Sequence, residues 1–164
     1  MAHDAGMTTY DIDARTLAPQ PTAVAEATLA VADIGRWLPR TYGTIARALA
    51  AHGEVITGPP FARFHRLAHG RFEVEAGFSV GHAIDGVDDV RSSTLPGGPV
   101  ATTVHVGPYE DMEPAYEALA SWIDARGGTP AGDAWEIYLT DAEEQPDPAT
   151  WRTEIIQLYH AGPT

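Results

Sequence analysis

The residues best suited to chemistry in this 164-residue chain lie in one short string, Trp135-Glu136-Ile137-Tyr138-Leu139. Strand alternation sorts it into two sides, with Trp135, Ile137 and Leu139 on one and Glu136 and Tyr138 on the other. The three apolar residues are expected to pack under helices, leaving Glu136 and Tyr138 to face a cleft on the opposite side of the sheet. A carboxylate beside a phenol can hold a cation, orient a water or exchange a proton, and none of these needs a metal. The string also has an echo. Residues 99–138 repeat residues 25–64, pairing Ala27 with Ala101, Thr28 with Thr102, Tyr42 with Tyr116, Ala46 with Ala120, Gly53 with Gly127 and Gly58 with Gly132. In that alignment Phe64 matches Tyr138 and Ala62 matches Glu136, so one copy carries a methyl where the other carries a carboxylate.

The expected consequence is a groove between related halves, lined by aromatic rings and holding a single acidic anchor. Such a site suits a flat, apolar, positively charged molecule through ring stacking, cation–π attraction and an ion pair. Desolvation is expected to raise the pKa of Glu136, and a cationic ligand to lower it again. Other aromatics join the candidate set. Tyr109, after Gly107-Pro108, either reaches over the cleft mouth or packs at a helix entry. Trp151 precedes the last strand as a cleft wall or a loop anchor, and Trp37 serves as a lid or a core residue. Tyr42 and Tyr116 read mainly as core. The seven histidines (3, 52, 65, 69, 82, 105 and 160) lack helical zinc spacing and the chain has no cysteine, so neither metal nor cofactor is expected. A Gly-x-Ser-x-Gly elbow and a phosphate-binding loop are both absent from the sequence.

These residues must be positioned by short strands and two helices. Period-two patterns predict strands over residues 10–17, 22–31, 61–66, 72–80, 99–106, 135–139 and 153–159. Helical spacing of Ile34, Leu38, Tyr42, Ile45 and Leu49, capped by Asp33, predicts one helix, with Pro39 as a possible start of its regular part. Met112, Tyr116, Leu119 and Ile123 predict the second, with Pro114 in its first turn. The fold class is α+β: duplicated β-α-β-β units in pseudo-twofold arrangement, an extra strand at the start, helices on one sheet face and a ligand cleft on the other. The domain spans residues 10–160, with a flexible tail over 1–9, a first half over 10–84, a link over 85–98 and a second half over 99–160.

Composition sets the outer bounds. Hydrophobic residues make up 44% and charged residues 20%, enough to build a buried core without a membrane-spanning run. Ten Arg and no Lys stand against 23 acidic residues, a net charge of -13 that repels phosphate backbones and disfavours nucleic acid. With no cysteine and nothing resembling a signal peptide, the expected compartment is the cytoplasm.

The strings LPGGPVATTVHVGPYEDMEPAYEALASWI, WEIYLTD, DPATWRTEI and GPPFARFH resemble the GyrI-like small-molecule-binding domain. That domain is the effector-binding half of multidrug-sensing regulators of the MerR and AraC types. It also occurs in gyrase-inhibitory proteins and in hydrolases that open cyclopropane-bearing genotoxins. The resemblance implies a pseudo-symmetric pair of units around a ligand cleft, and a glutamate at Glu136 that meets cationic drugs. Only about nine residues precede the first strand, so a stand-alone member without its own operator binding is expected. Two functions follow. One is capture of hydrophobic, cationic aromatic molecules by Glu136, with Tyr138, Phe64, Tyr109, Trp151, Trp37 and Ala62 lining the site. The other is cofactor-independent hydrolysis of a strained ring by Glu136 with Tyr138 or Tyr109. Capture is preferred, because a cleft suffices for it. A protein partner such as gyrase rests on surface charge alone.

Overall fold

The two apolar stripes at helical spacing form α1 (Val31–Ala51), which buries Thr41, Ile45 and Leu49, and α2 (Glu113–Ala125), which buries Ala115, Leu119 and Ile123. The computed structural model describes residues 10–141 and 144–162; the tail expected over 1–9 lies outside them. Both helices end in the same way. Gly53 (φ 71°) and Gly127 (φ 72°) take the left-handed conformation, and their N–H groups meet the Ala50 and Asp124 carbonyls at 3.2 and 2.9 Å. Glu54 and Gly128 then donate back to Leu49 and Ile123 at 2.9 and 3.0 Å, completing a Schellman motif at each end. Pro39 lies inside a continuous α1 rather than at its start, and Asp33 sits in the first turn, paired with Arg36 at 3.0 Å instead of capping.

The strands are β1 (Asp13–Leu17), β2 (Gln20–Ala30), β3 (Ile56–Arg66), β4 (Arg71–Val80), β5 (Arg91–Leu95), β6 (Gly98–Val106), β7 (Thr129–Pro130), β8 (Trp135–Tyr138) and β9 (Arg152–His160). All pair antiparallel, in the order β1-β6-β9-β8-β3-β4-β2-β5, with β7 beside β9. Exchanging β1 with β5, β2 with β6, β3 with β8 and β4 with β9 returns the same order. At its centre Ala62 of β3 stands opposite Glu136 of β8, flanked by the pairs Phe61–Ile137 and Arg63–Trp135. The positions aligned in sequence thus meet in space.

The sequence echo does not extend evenly. Two strands out from the centre, Ala25 occupies the place that Thr103 occupies on the other side, so Ala27/Ala101 and Thr28/Thr102 are not equivalent positions. The expected link over 85–98 also contains β5, whose polar RSSTL string runs along a sheet edge. With the two-residue β7 set aside, the element order runs β-β-α-β-β twice along the chain.

Both helices lie on one face of the sheet. Beneath α1 lie Ala23, Phe78 and Val80, and beneath α2 lie Ala101 and Ile155. The opposite face buries Val24, Phe61, Val100, Trp135, Ile156 and Leu158. Full burial of side chains this size stabilises by about 1.5–3 kcal/mol each. The two sides of β8 are consequently the reverse of the expectation. Trp135 and Ile137 pack on the far face, Leu139 is exposed beyond the strand end, and Glu136 and Tyr138 stand on the helix-bearing face. Among the described residues, no helix is long and apolar enough to cross a membrane.

Candidate functional site

Glu136 is held between β3 and β9, beside the methyl of Ala62 and next to Ile155. Only 8% of it is exposed, and Ala62 and Ile155 are fully buried. Its carboxylate accepts two phenolic hydrogen bonds. Tyr138, two residues along the same strand face, donates to Oε1 at 2.9 Å, and Tyr116 reaches down from α2 to donate to Oε2. Burial pushes the Glu136 carboxyl above the usual range; the two phenol donors and the nearby His105 ring oppose that rise in part. The phenols respond in kind. Burial and then the adjoining carboxylate raise Tyr138, Tyr42, Tyr116 and Tyr109, so all four remain protonated donors.

A chain of rings extends from this carboxylate. Tyr138 contacts Tyr42 of α1 and Tyr109, with ring centres 6.4 and 5.6 Å apart. Tyr42 in turn meets Phe78 at 5.6 Å, and Tyr109 lies 4.8 Å from Trp151. The Trp151 indole donates to the Gln145 carbonyl at 2.6 Å, while its own carbonyl accepts from Gly107, which fixes the two loops against each other. Such offset and edge-on ring pairs each contribute about 0.5–1.5 kcal/mol beyond burial. Glu136 thus lies on the helix-bearing side of the sheet, bonded to Tyr116 of α2 and to Tyr138, whose ring meets Tyr42 of α1.

The structure brings Glu136, Tyr138, Tyr109, Trp151 and Ala62 together. Phe64 shares their sheet face, but its ring contact is with Phe72 at 6.4 Å. Trp37, half-buried on α1, makes no aromatic contact among the described residues. Tyr116 is the residue that sequence reasoning missed, since a buried helical stripe reads as core whatever its hydroxyl meets. Its counterpart Tyr42 shows the contrast: lacking a carboxylate at Ala62, it donates to the Phe61 carbonyl at 2.7 Å. A separate cavity of about 150 Å³ opens at the far end of α1, between Leu49, Ile84, Val87 and Val90, and holds none of these groups.

Sheet, helices and sealed carboxylate define an α+β domain with one acidic group beneath a canopy of rings. The chain belongs to the GyrI-like small molecule binding domain family, whose model matches residues 10–158. Among solved structures, the EcmrR C-terminal domain is similar with a TM-score of 0.82 at 18% identity, over 94% of this chain and 99% of that one. A hydrolase from Listeria innocua is similar with a TM-score of 0.66 at 11% identity, over 91% of each chain. SAV2435, in a structure bound to tetraphenylphosphonium, is similar with a TM-score of 0.66 at 14% identity, over 93% of this chain and 94% of that one. At these identities the likeness is one of fold. Among curated proteins the chain has no match.

Proposed function

We propose that this domain captures hydrophobic aromatic cations, with Glu136 as the countercharge and Tyr138, Tyr109 and Trp151 as stacking partners. The observation that carries the reading is a buried carboxylate whose bonds come from neutral phenols, with no ion pair to Arg or His among the described residues. Burying a charge is costly unless it is paired, so an arriving cation relieves a penalty that the ligand-free protein carries. The rings close over Glu136, and a ligand therefore enters by displacing Tyr109 and Trp151, of which Tyr109 is already 39% exposed. Tetraphenylphosphonium is the natural probe, with triphenylphosphine oxide as a neutral comparison. Glu136→Gln is expected to weaken the cation about 30-fold or more, ~2 kcal/mol, and leave the neutral compound within about twofold. Equal losses for both in a calorimetric titration reject the charge role.

The second reading, hydrolysis, is favoured by the direct contact of Glu136 with two phenols, which joins a base and hydrogen-bond donors. Glu136 takes a proton from water as its oxygen bonds to a cyclopropane carbon. The ring C–C bond breaks and its electron pair passes to a conjugated carbonyl, whose oxygen accepts the hydrogen bond of Tyr138 or Tyr109, and the proton held by Glu136 then passes to that enolate. Ring opening followed by absorbance in a spirocyclopropane-bearing drug tests it; stoichiometric binding without turnover leaves capture alone.

A further inference from the structure

Near Glu136 one buried polar atom has no partner. Thr153 of β9 lies between His105 of β6 and Tyr138 of β8 in the pairing ladder, so all three point to the helix-bearing face. It is fully buried, and its Oγ1 makes no hydrogen bond. Both flanking groups are committed elsewhere. The Tyr138 hydroxyl donates to Glu136, while the His105 ring meets the Tyr10 hydroxyl with one nitrogen and the Pro108 carbonyl with the other, each at 3.0 Å. Thr22 has the other unpartnered buried hydroxyl, but it lies on the far face of the sheet, away from Glu136.

An unpaired buried hydroxyl lowers stability, whereas valine fills the same branched shape in a strand without that penalty. Packing alone therefore gives threonine no advantage at position 153. Diagonal neighbours on antiparallel strands lie about 7–8 Å apart, and Thr153 is diagonal to Glu136, so one small molecule spans both. We infer that Thr153 is a specificity-determining contact of the Glu136 site, donating its hydroxyl proton to an acceptor oxygen, a carbonyl or ether, carried by the same ligand that brings the positive charge. This rests on the capture reading above and adds the second half of the ligand's chemistry.

Two triphenylphosphonium probes of matched length test it, one with a methyl butanoate tail and one with a hexyl tail, titrated against the full chain. Wild type should favour the ester relative to Thr153→Val by about fivefold, ~1 kcal/mol, while Thr153→Ser keeps that preference and the hexyl probe binds all three alike. In the absence of ligand, Thr153→Val should melt at a higher temperature than wild type. The inference is overturned if valine shifts both probes equally or neither, or if it lowers the ligand-free melting temperature. If Glu136→Gln weakens both probes while valine changes nothing, only the role of Thr153 falls. If wild type binds neither probe, or Glu136→Gln has no effect, the capture reading falls and takes this one with it.

Discussion

At residue scale the site turns on two tyrosines in matching helical positions whose hydroxyls have different tasks. Tyr116 donates to the Glu136 carboxylate, and Tyr42 donates to a backbone carbonyl because Ala62 offers it no acceptor. Removing the two hydroxyls should therefore have different consequences. Tyr116→Phe takes away a bond that favours the ionised carboxylate, so the pKa of Glu136 moves further up and a cation must compete with a proton over a wider range. Tetraphenylphosphonium affinity should then fall more steeply as pH is lowered in Tyr116→Phe than in wild type. Tyr42→Phe should cost about 1 kcal/mol in urea unfolding and leave the pH profile of binding as it was. Matching pH profiles for the two variants would show that the Tyr116 bond does not tune the acid.

At the scale of elements, the close pairing of β2 with β4 depends on Gly77. A Cβ there would lie 1.9 Å from the Ala23 carbonyl oxygen and 2.9 Å from the Val24 Cα, so β2 approaches β4 too closely at this point for any side chain. Gly77→Ala should lower unfolding stability by about 3 kcal/mol, whereas Gly58→Ala, whose new methyl finds Ser79 Cβ at an ordinary 3.7 Å, should be near neutral. Equal stability of the two variants in urea would mean that the strands separate without cost. The sequence makes most of these elements legible, because β4, β6, β9 and both helices carry strong periodic patterns and Gly53 and Gly127 mark the helix ends. It hides others for definite reasons. β5 is a polar edge strand, and Leu95 alone of its RSSTL string is buried, too little to show alternation. The orientation of β8 is hidden because both faces of the sheet are apolar: Trp135 serves the far layer as well as it would the helix layer, and alternation alone does not say which side a helix covers. The alignment of Glu136 with Ala62 is visible as a repeat, yet the Tyr116–Glu136 bond joins a helix to a strand, and no periodicity within either element encodes it.

At the scale of the whole molecule, a net charge of -13 and a buried carboxylate both act on a cation, and pH with salt can tell them apart. Folding raises the Glu136 pKa above its unfolded value, so the native state holds that proton to a higher pH than the unfolded chain does. Stability therefore falls as pH rises from the ordinary carboxylate range through the raised native value, and the penalty stays constant above it. Comparison of wild type with Glu136→Gln cancels most of the remaining acids. The two should be close at low pH, and the Gln variant should become the more stable as pH rises, by about 1.4 kcal/mol for each unit of the pKa rise. Tetraphenylphosphonium should invert the order at neutral pH, since a ligand at 100 times its Kd adds about 2.7 kcal/mol to the protein that binds it. Salt separates the surface from the site. At 0.15 M the screening length is about 8 Å, so attraction from the exposed acids fades while a buried ion pair is screened much less. Added salt should thus reduce cation affinity modestly and leave the ratio between wild type and Glu136→Gln nearly unchanged. If that ratio collapses toward one in salt, the surface charge rather than Glu136 is what draws the cation.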